Sequence, residues 1–158
     1  MVAAASVGAT DVHIDASQSP ALFRLASERL NATFKPELDH KILTAISPSG
    51  VIAQAVFTDI VVGLRAELSL WANPVHGLWG RQLIRQVCKT AFIDFRCKRL
   101  HACTRVGNRQ AQATLQKMGF VIEAHMERWY PDDDGLMFKM MLPNCRWLAP
   151  KRETNTDC

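Results

Sequence analysis

The sequence predicts an α+β protein, a mixed and mostly antiparallel central sheet flanked by helices. Three observations carry that expectation. Apolar, β-branched runs separated by turn residues fill 41 to 72; two segments, 79–95 and 108–119, place apolar residues at helical spacing; and short strand-like segments follow each of them.

The N-terminal "MVAAASVGATDVHID" is mildly apolar, has no basic region and acquires Asp11 early, so it reads as a loose tail entering a first strand rather than as a secretory leader. "SPALFRLASERL", 19–30, puts Leu22, Leu25, Ala26 and Leu30 on one helical face, with Ser19 as N-cap and Pro20 at the first helical position. "KILTAI" and "VIAQAVFTDIVV" flank the turn sequence "SPSG" and read as a hairpin, and "LRAELSLWA" follows Gly63 as the next antiparallel strand.

From Trp79 a stripe of Leu83, Ile84, Val87, Cys88, Ala91, Phe92 and Phe95 opposes Arg81, Arg85, Gln86 and Lys89, the pattern of an amphipathic helix. "RLHACTRV" reads as a strand. In "NRQAQATLQKMGF", Asn108 is the expected N-cap, Ala111, Leu115 and Met118 the inner stripe and Gly119 the terminator. "FVIEAHMERWY" and "LMFKMML" flank "PDDDG" as a closing hairpin. These elements predict a single domain over 1–150 and a polar tail over 151–158.

With 158 residues, 48% hydrophobic and 22% charged, the chain has the size and composition of one ordinary globular domain and not those of a disordered one. Its five cysteines, at 88, 97, 103, 145 and 158, form no Cys-x-x-Cys pair and meet no histidine at zinc-like spacing. That usage predicts reduced thiols, a cytoplasmic location and no metal. No apolar run is long enough to span a bilayer. The net charge of +4 permits a polyanion without demanding one. A nucleic-acid module is disfavoured, because "RLHACTRV" and "LSLWANP" lack a pattern of stacking aromatics.

The stretch "NPVHGLWGRQLIRQ", 73–86, places Gly77 and Gly80 where an extended chain passes into a helix. Glycine allows close approach there, and the first helical turn has amides without internal partners. Such a turn is either a potential anion site or a connection that merely needs small residues.

From Lys41 to Leu142 the chain resembles the GCN5-related N-acetyltransferase superfamily. Asn108, Ala111, Gly119 and Phe120 match that family's N-x-x-A/S helix ending in Gly-Phe. The Q/R-x-x-G-x-G/A loop pattern is half kept: Gly80 holds its last small position, with Leu83 and Ile84 as the following aliphatics. Val75 stands at the Q/R place and Leu78 at the first glycine.

The resemblance implies an acetyl-CoA-dependent N-acetyltransferase acting on a primary amine of a protein N-terminus, a lysine or a small molecule. Acetyl-CoA is then the cosubstrate, without membrane or metal, and a homodimer is compatible. It implies that the backbone of Gly77, Leu78, Trp79, Gly80, Arg81 and Gln82 cradles the pyrophosphate. The backbone of Leu70, Trp71 and Ala72 would bond the pantetheine arm where "LSLWA" diverges from its neighbour, and Asn108 would reach that arm from the opposite side.

Glu67 lies where several members place a general base; its alternation with Arg65 and Ser69 equally fits the polar side of a half-exposed strand. Many members carry a tyrosine acid where this chain has Leu115, and the one tyrosine, Tyr130, lies beyond the following strand. Transfer would then use another acid or none. His101, His125 and Glu127 fall on alternating strand positions that could line a groove, His76 sits beside the loop, and Trp129 and Tyr130 could form an acceptor lip. The alternative reading is a catalytically weakened acyl-CoA-binding or structural module of the same fold, on the evidence of Val75, Leu78 and Leu115.

Overall fold

The computed structural model describes residues 11–73 and 80–148. Seven strands form one sheet: β1 (His13–Asp15), β2 (Lys41–Ser47), β3 (Gly50–Val61), β4 (Arg65–Ala72), β5 (Arg99–Arg105), β6 (Val121–Tyr130) and β7 (Asp133–Met141). Three helices accompany them: α1 (Pro20–Leu30), α2 (Gly80–Cys88) and α3 (Arg109–Met118). The spatial order is β1-β2-β3-β4-β5-β7-β6, antiparallel throughout except between β4 and β5. The α+β class and the mixed sheet are as the sequence predicts.

Capping explains the helix limits. The Leu22 amide donates to Ser19 Oγ at 3.3 Å, and Asn31 closes α1 in the left-handed conformation. At α3 the Ala111 amide donates to Asn108 Oδ1 at 3.1 Å, and Gly119, with φ of 100°, ends the helix. Two details differ from the sequence reading of the helices. The buried face of α1 centres on Phe23 and Ala26, with Leu22 and Leu30 beside them and Leu25 only half-buried. The stripe predicted to run unbroken to Phe95 leaves α-helical geometry after Cys88 and turns π-helical over Lys89–Asp94, where the Phe95 amide donates to the Thr90 carbonyl at 2.9 Å. That wider turn still buries Thr90, Ala91 and Phe92.

Period-two alternation sorts the sheet into two faces. Leu43, Ala45, Ala55, Phe57, Ala66, Leu68, Leu100, Ala102, Phe138 and Met140 pack under Leu83, Ile84, Val87 and Phe92 from α2 and its π-turn, and Leu115 from α3. Ile42 and Val56 face the other way, against Phe23 and Ala26 of α1 and against Phe34. Past α1 that second face carries Arg65, Glu67, Ser69 and Trp71 of β4, then Arg99, His101, Cys103 and Arg105 of β5.

The closing hairpin is tighter than "PDDDG" implies, since Asp133, Asp134 and Gly135 already belong to β7. A register shift between Met126 and Tyr130 is held by Asp134, whose carboxylate accepts the Arg128 amide at 2.8 Å and meets His125 Nε2 at 2.8 Å. A Cβ on Gly135 would stand 2.9 Å from Trp129 Cβ, so only glycine fits beneath this bulge.

Candidate active site

The site follows from one topological fact. β4 and β5 run parallel yet pair only at Arg65–Arg99, Ala66–Leu100 and Glu67–His101. Beyond that point β4 keeps its partner β3 as far as Ala72, and β5 keeps β7 as far as Arg105. The edge of β4 from Leu68 to Ala72 that would face β5 therefore has no strand beside it among the described residues. Because both strands point the same way, the helices that follow them, α2 from Gly80 and α3 from Arg109, start at this open end.

The structure thus brings Leu70, Trp71 and Ala72 to the open edge of β4, Gly80, Arg81 and Gln82 to the first turn of α2, and Asn108 to the cap of α3 beyond β5. Gly77, Leu78 and Trp79, the other expected cofactor contacts, lie outside the described residues, as do Val75 and His76. At Gly80 no described atom comes within 4 Å of the place a Cβ would take, and φ is not positive, so neither packing nor backbone conformation in the described fold asks for glycine. Arg81 and Arg85 are exposed on the outer face of α2.

Trp71 is fixed by a buried network. Its Nε1 donates to Gln54 Oε1 at 2.8 Å, while Gln54 Nε2 donates to the Leu22 carbonyl at 3.0 Å and to Thr44 Oγ1 at 3.3 Å. The Arg29 guanidinium sits 4.9 Å from the Trp71 ring centre. One fully buried glutamine therefore ties α1, β2 and β3 to the open edge of β4.

Glu67 stands at the last paired position, where the strands begin to part. Burial, with Asp59 as a second negative charge, raises its carboxyl above the ordinary glutamate range. Its Oε2 lies 3.9 Å from His101 Nε2, and its side chain is 37% exposed against 10% for His101. It is neither a freely solvated surface residue nor a sealed one.

His101 also lines a polar cavity of about 390 Å³ with Asp59, Arg65, Arg99, Glu123 and Met137. Its carboxylates are engaged: Arg65 Nε donates to Asp59 at 2.9 Å, and Arg99 holds Glu123 in a two-pronged pair with Nη1 at 3.1 Å. Both arginines pull their partners' carboxyls below the ordinary range.

Tyr130 returns to this same face. Its hydroxyl donates to Cys103 Sγ at 3.6 Å, and the Arg105 guanidinium lies 4.3 Å from its ring centre. Burial, and then Cys103, push the phenol well above its usual range. Leu115, at the position where the resemblance places a tyrosine, is packed in the core at 5% exposure. Sequence reasoning offers His101 as a groove-lining residue and Tyr130 as part of an acceptor lip; the register that seats them beside Glu67 and Cys103 has no local signal. Among the described residues no group of three or more His, Cys, Asp or Glu side chains is placed to hold a metal ion.

A mixed sheet whose two central parallel strands part above a carboxylate, with a helix leaving each at the open end, is the fold of the N-acetyltransferases that the resemblance implied. No protein-family model and no curated protein matches the chain, but solved structures do. The spermidine/spermine N-acetyltransferase SpeG of Vibrio cholerae, solved with manganese ions, is 16% identical, with a TM-score of 0.67 over 84% of this chain and 94% of its own. A mutant form of the same Vibrio cholerae enzyme gives a TM-score of 0.69 at 15% identity, covering 89% and 98%. The complex of the Vibrio cholerae spermidine N-acetyltransferase with CoA and spermine gives 0.67 at 15% identity, covering 85% and 98%. At these identities the likeness is one of fold.

Proposed function

We infer that the protein transfers an acetyl group from acetyl-CoA to a primary amine. The observation that carries this reading is the parting of β4 from β5 directly beyond the Glu67–His101 pair. An extended, amide-bearing pantetheine arm matches the open edge of Leu68–Ala72, the one away from β3, as a missing strand would. Gly80, Arg81 and Gln82 would then receive the pyrophosphate at the start of α2, where amides without helical partners, and Arg81 nearby, favour an anion. Asn108 would meet the arm from the α3 side.

Glu67 supports the chemistry as the base. A carboxyl lifted by burial holds a proton more strongly than a solvated one, so it can take the amine's proton as the new bond to the acetyl carbon forms. The β4 backbone at the parting offers amides to the developing oxyanion. A thiol of ordinary pKa near 8.5 leaves at neutral pH for about 2 kcal/mol even without a protein acid. Leu115 in the core is therefore compatible with turnover.

A neighbour of this fold binds spermine. In this chain the carboxylates of the cavity beside Glu67 are already matched by Arg65 and Arg99, so it has no surplus negative charge for a polycation. We therefore read the acceptor as a monoamine rather than a polyamine. The test is release of free CoA from acetyl-CoA with spermidine, lysine, a peptide N-terminus and phenethylamine as acceptors. Glu67→Gln should slow the active pair by 10²- to 10⁴-fold while leaving the acetyl-CoA thermal shift in place. Wild-type rates in Glu67→Gln would remove Glu67 as base, and no CoA-dependent shift in the wild-type protein would remove the enzyme reading altogether.

A further inference from the structure

We propose that His101 is a positioning residue, donating from Nε2 to the Glu67 carboxylate and holding it where the acceptor amine arrives. The proposal rests on the reading of Glu67 as base.

Glu67 and His101 are cross-strand partners at the last parallel pair before β4 and β5 separate, so no further strand pairing steadies Glu67 on its open side. The Nε2 to Oε2 distance of 3.9 Å is longer than a hydrogen bond, as such contacts often are before substrate closes the site. His101 is nine-tenths buried, and its Nδ1 is inaccessible and has no hydrogen-bond partner.

The carboxylate beside Nε2 decides the tautomer. A neutral imidazole carries one N–H. Nδ1 has no partner in either form, but a proton on Nδ1 would leave the Nε2 lone pair beside a carboxylate, whereas a proton on Nε2 lies 3.9 Å from that carboxylate and can form a charge-assisted bond as the contact shortens. The surroundings of the ring disfavour its protonated form. Burial is the main cause, and Arg99 and Arg65 oppose a further positive charge, against the weaker pull of Asp59 and Glu123. Across the sheet its register partner is Lys139, whose ammonium lies 3.9 Å from Glu123. From β4, Glu67 is the one facing carboxylate within 4 Å of the ring.

A neutral donor of this kind stabilises ionised Glu67 more than protonated Glu67. It therefore fixes the carboxylate's direction and moderates the upward push of burial. Loss of the donor should raise the pH at which Glu67 titrates by about one unit, the scale of one hydrogen bond to a charged group.

The test uses the protein saturated with CoA, in which the site is closed and the contact can shorten to a hydrogen bond. The Glu67 side-chain carboxyl is followed by carbon NMR against pH, with the signal assigned by its absence in Glu67→Gln. The midpoint should rise by about one unit in His101→Asn, whose amide stops short of the Nε2 position, and return toward wild type in His101→Gln, whose amide nitrogen reaches it. Nitrogen NMR of the wild-type ring should show Nε2–H.

An Nδ1–H tautomer, or a Glu67 midpoint unmoved in a folded His101→Asn, overturns the proposal; so does a His101→Gln midpoint as displaced as that of His101→Asn. Should His101→Asn not fold, the tautomer and the His101→Gln titration still decide. If Glu67→Gln turns over normally, the base reading fails whatever these titrations show. If Glu67→Gln is slow but the titrations are flat, only the role of His101 fails.

Discussion

Gln54→Met isolates the network that connects α1 to the open edge of β4. Methionine keeps the length and roughly the volume of glutamine, so packing changes little while the amide disappears. Three hydrogen bonds go with it, those from Trp71 Nε1 and those to the Leu22 carbonyl and Thr44 Oγ1. Their losses are unequal. The Leu22 carbonyl sits within α1, while Thr44 is fully buried and loses a partner it cannot replace with water. Trp71 is half-buried, so solvent recovers part of its bond.

At about 0.5–1.5 kcal/mol per bond, with one buried partner left unsatisfied, the variant should lose about 2–4 kcal/mol. For a chain of this size that lowers Tm by roughly 4–16 °C, at about 2–4 °C per kcal/mol. The assay is urea denaturation of wild type, Gln54→Met, Trp71→Phe and the double variant. Trp71→Phe removes one bond of the three, and the pair should fall short of additivity by about 1 kcal/mol because that bond is shared. A Gln54→Met protein within about 0.5 kcal/mol of wild type, or strictly additive single effects, would refute the network as the tie between α1 and Trp71.

Leu115→Ala should cost about 2–5 kcal/mol in a denaturant titration, the range for a buried leucine, and leave turnover of the folded fraction within a few-fold of wild type. Gly135→Ala should destabilise by about 1–3 kcal/mol, because the new methyl meets Trp129 Cβ at 2.9 Å across the hairpin and cannot swing aside. Stability should fall as pH drops below 6.5, since burial holds His101 and His40 below the ordinary histidine range in the fold and the unfolded chain therefore binds their protons more readily. Chemical denaturation at pH 7.5 and pH 6.0 should show a smaller difference in His101→Gln than in wild type.

Local chemistry made the helix ends legible: Ser19, Pro20, Asn108 and Gly119 act where their residue types say they should, because a cap depends on neighbours three or four positions away. Other features depend on distant register. Alternation shows that Arg65, Glu67 and Ser69 share a face, yet it cannot say that Glu67 stands opposite His101, because 33 residues, a helix among them, lie between the two in the chain. Tyr130 is hidden for the same reason. It reaches Cys103 only because the bulge held by Asp134 and the crossing of β7 between β5 and β6 turn the end of β6 toward β5. The apolar stripe through Phe95 could not reveal the π-turn, since a helix that widens by one residue buries nearly the same side chains.

The departures at Val75 and Leu78 bear differently on the two functions that the resemblance assigns to this region. Side chains decide how closely a phosphate can approach a loop, and Leu78 is larger than the glycine it replaces. Pantetheine recognition along β4 asks only for the backbone N–H and C=O groups of Leu68–Ala72 on the edge away from β3, which exist whatever the side chains. Among the described residues those groups have no strand beside them, because β5 pairs with β4 only as far as His101 and continues along β7 to Arg105. Unpaired backbone in a strand edge is costly to leave dry and inviting to an extended ligand. On this reading the arm of the cosubstrate and the position of Glu67 are specified by the same feature, the three-pair limit of the β4–β5 contact. Substitutions in the loop then tune affinity, while a change that lengthened the β4–β5 pairing would abolish the site.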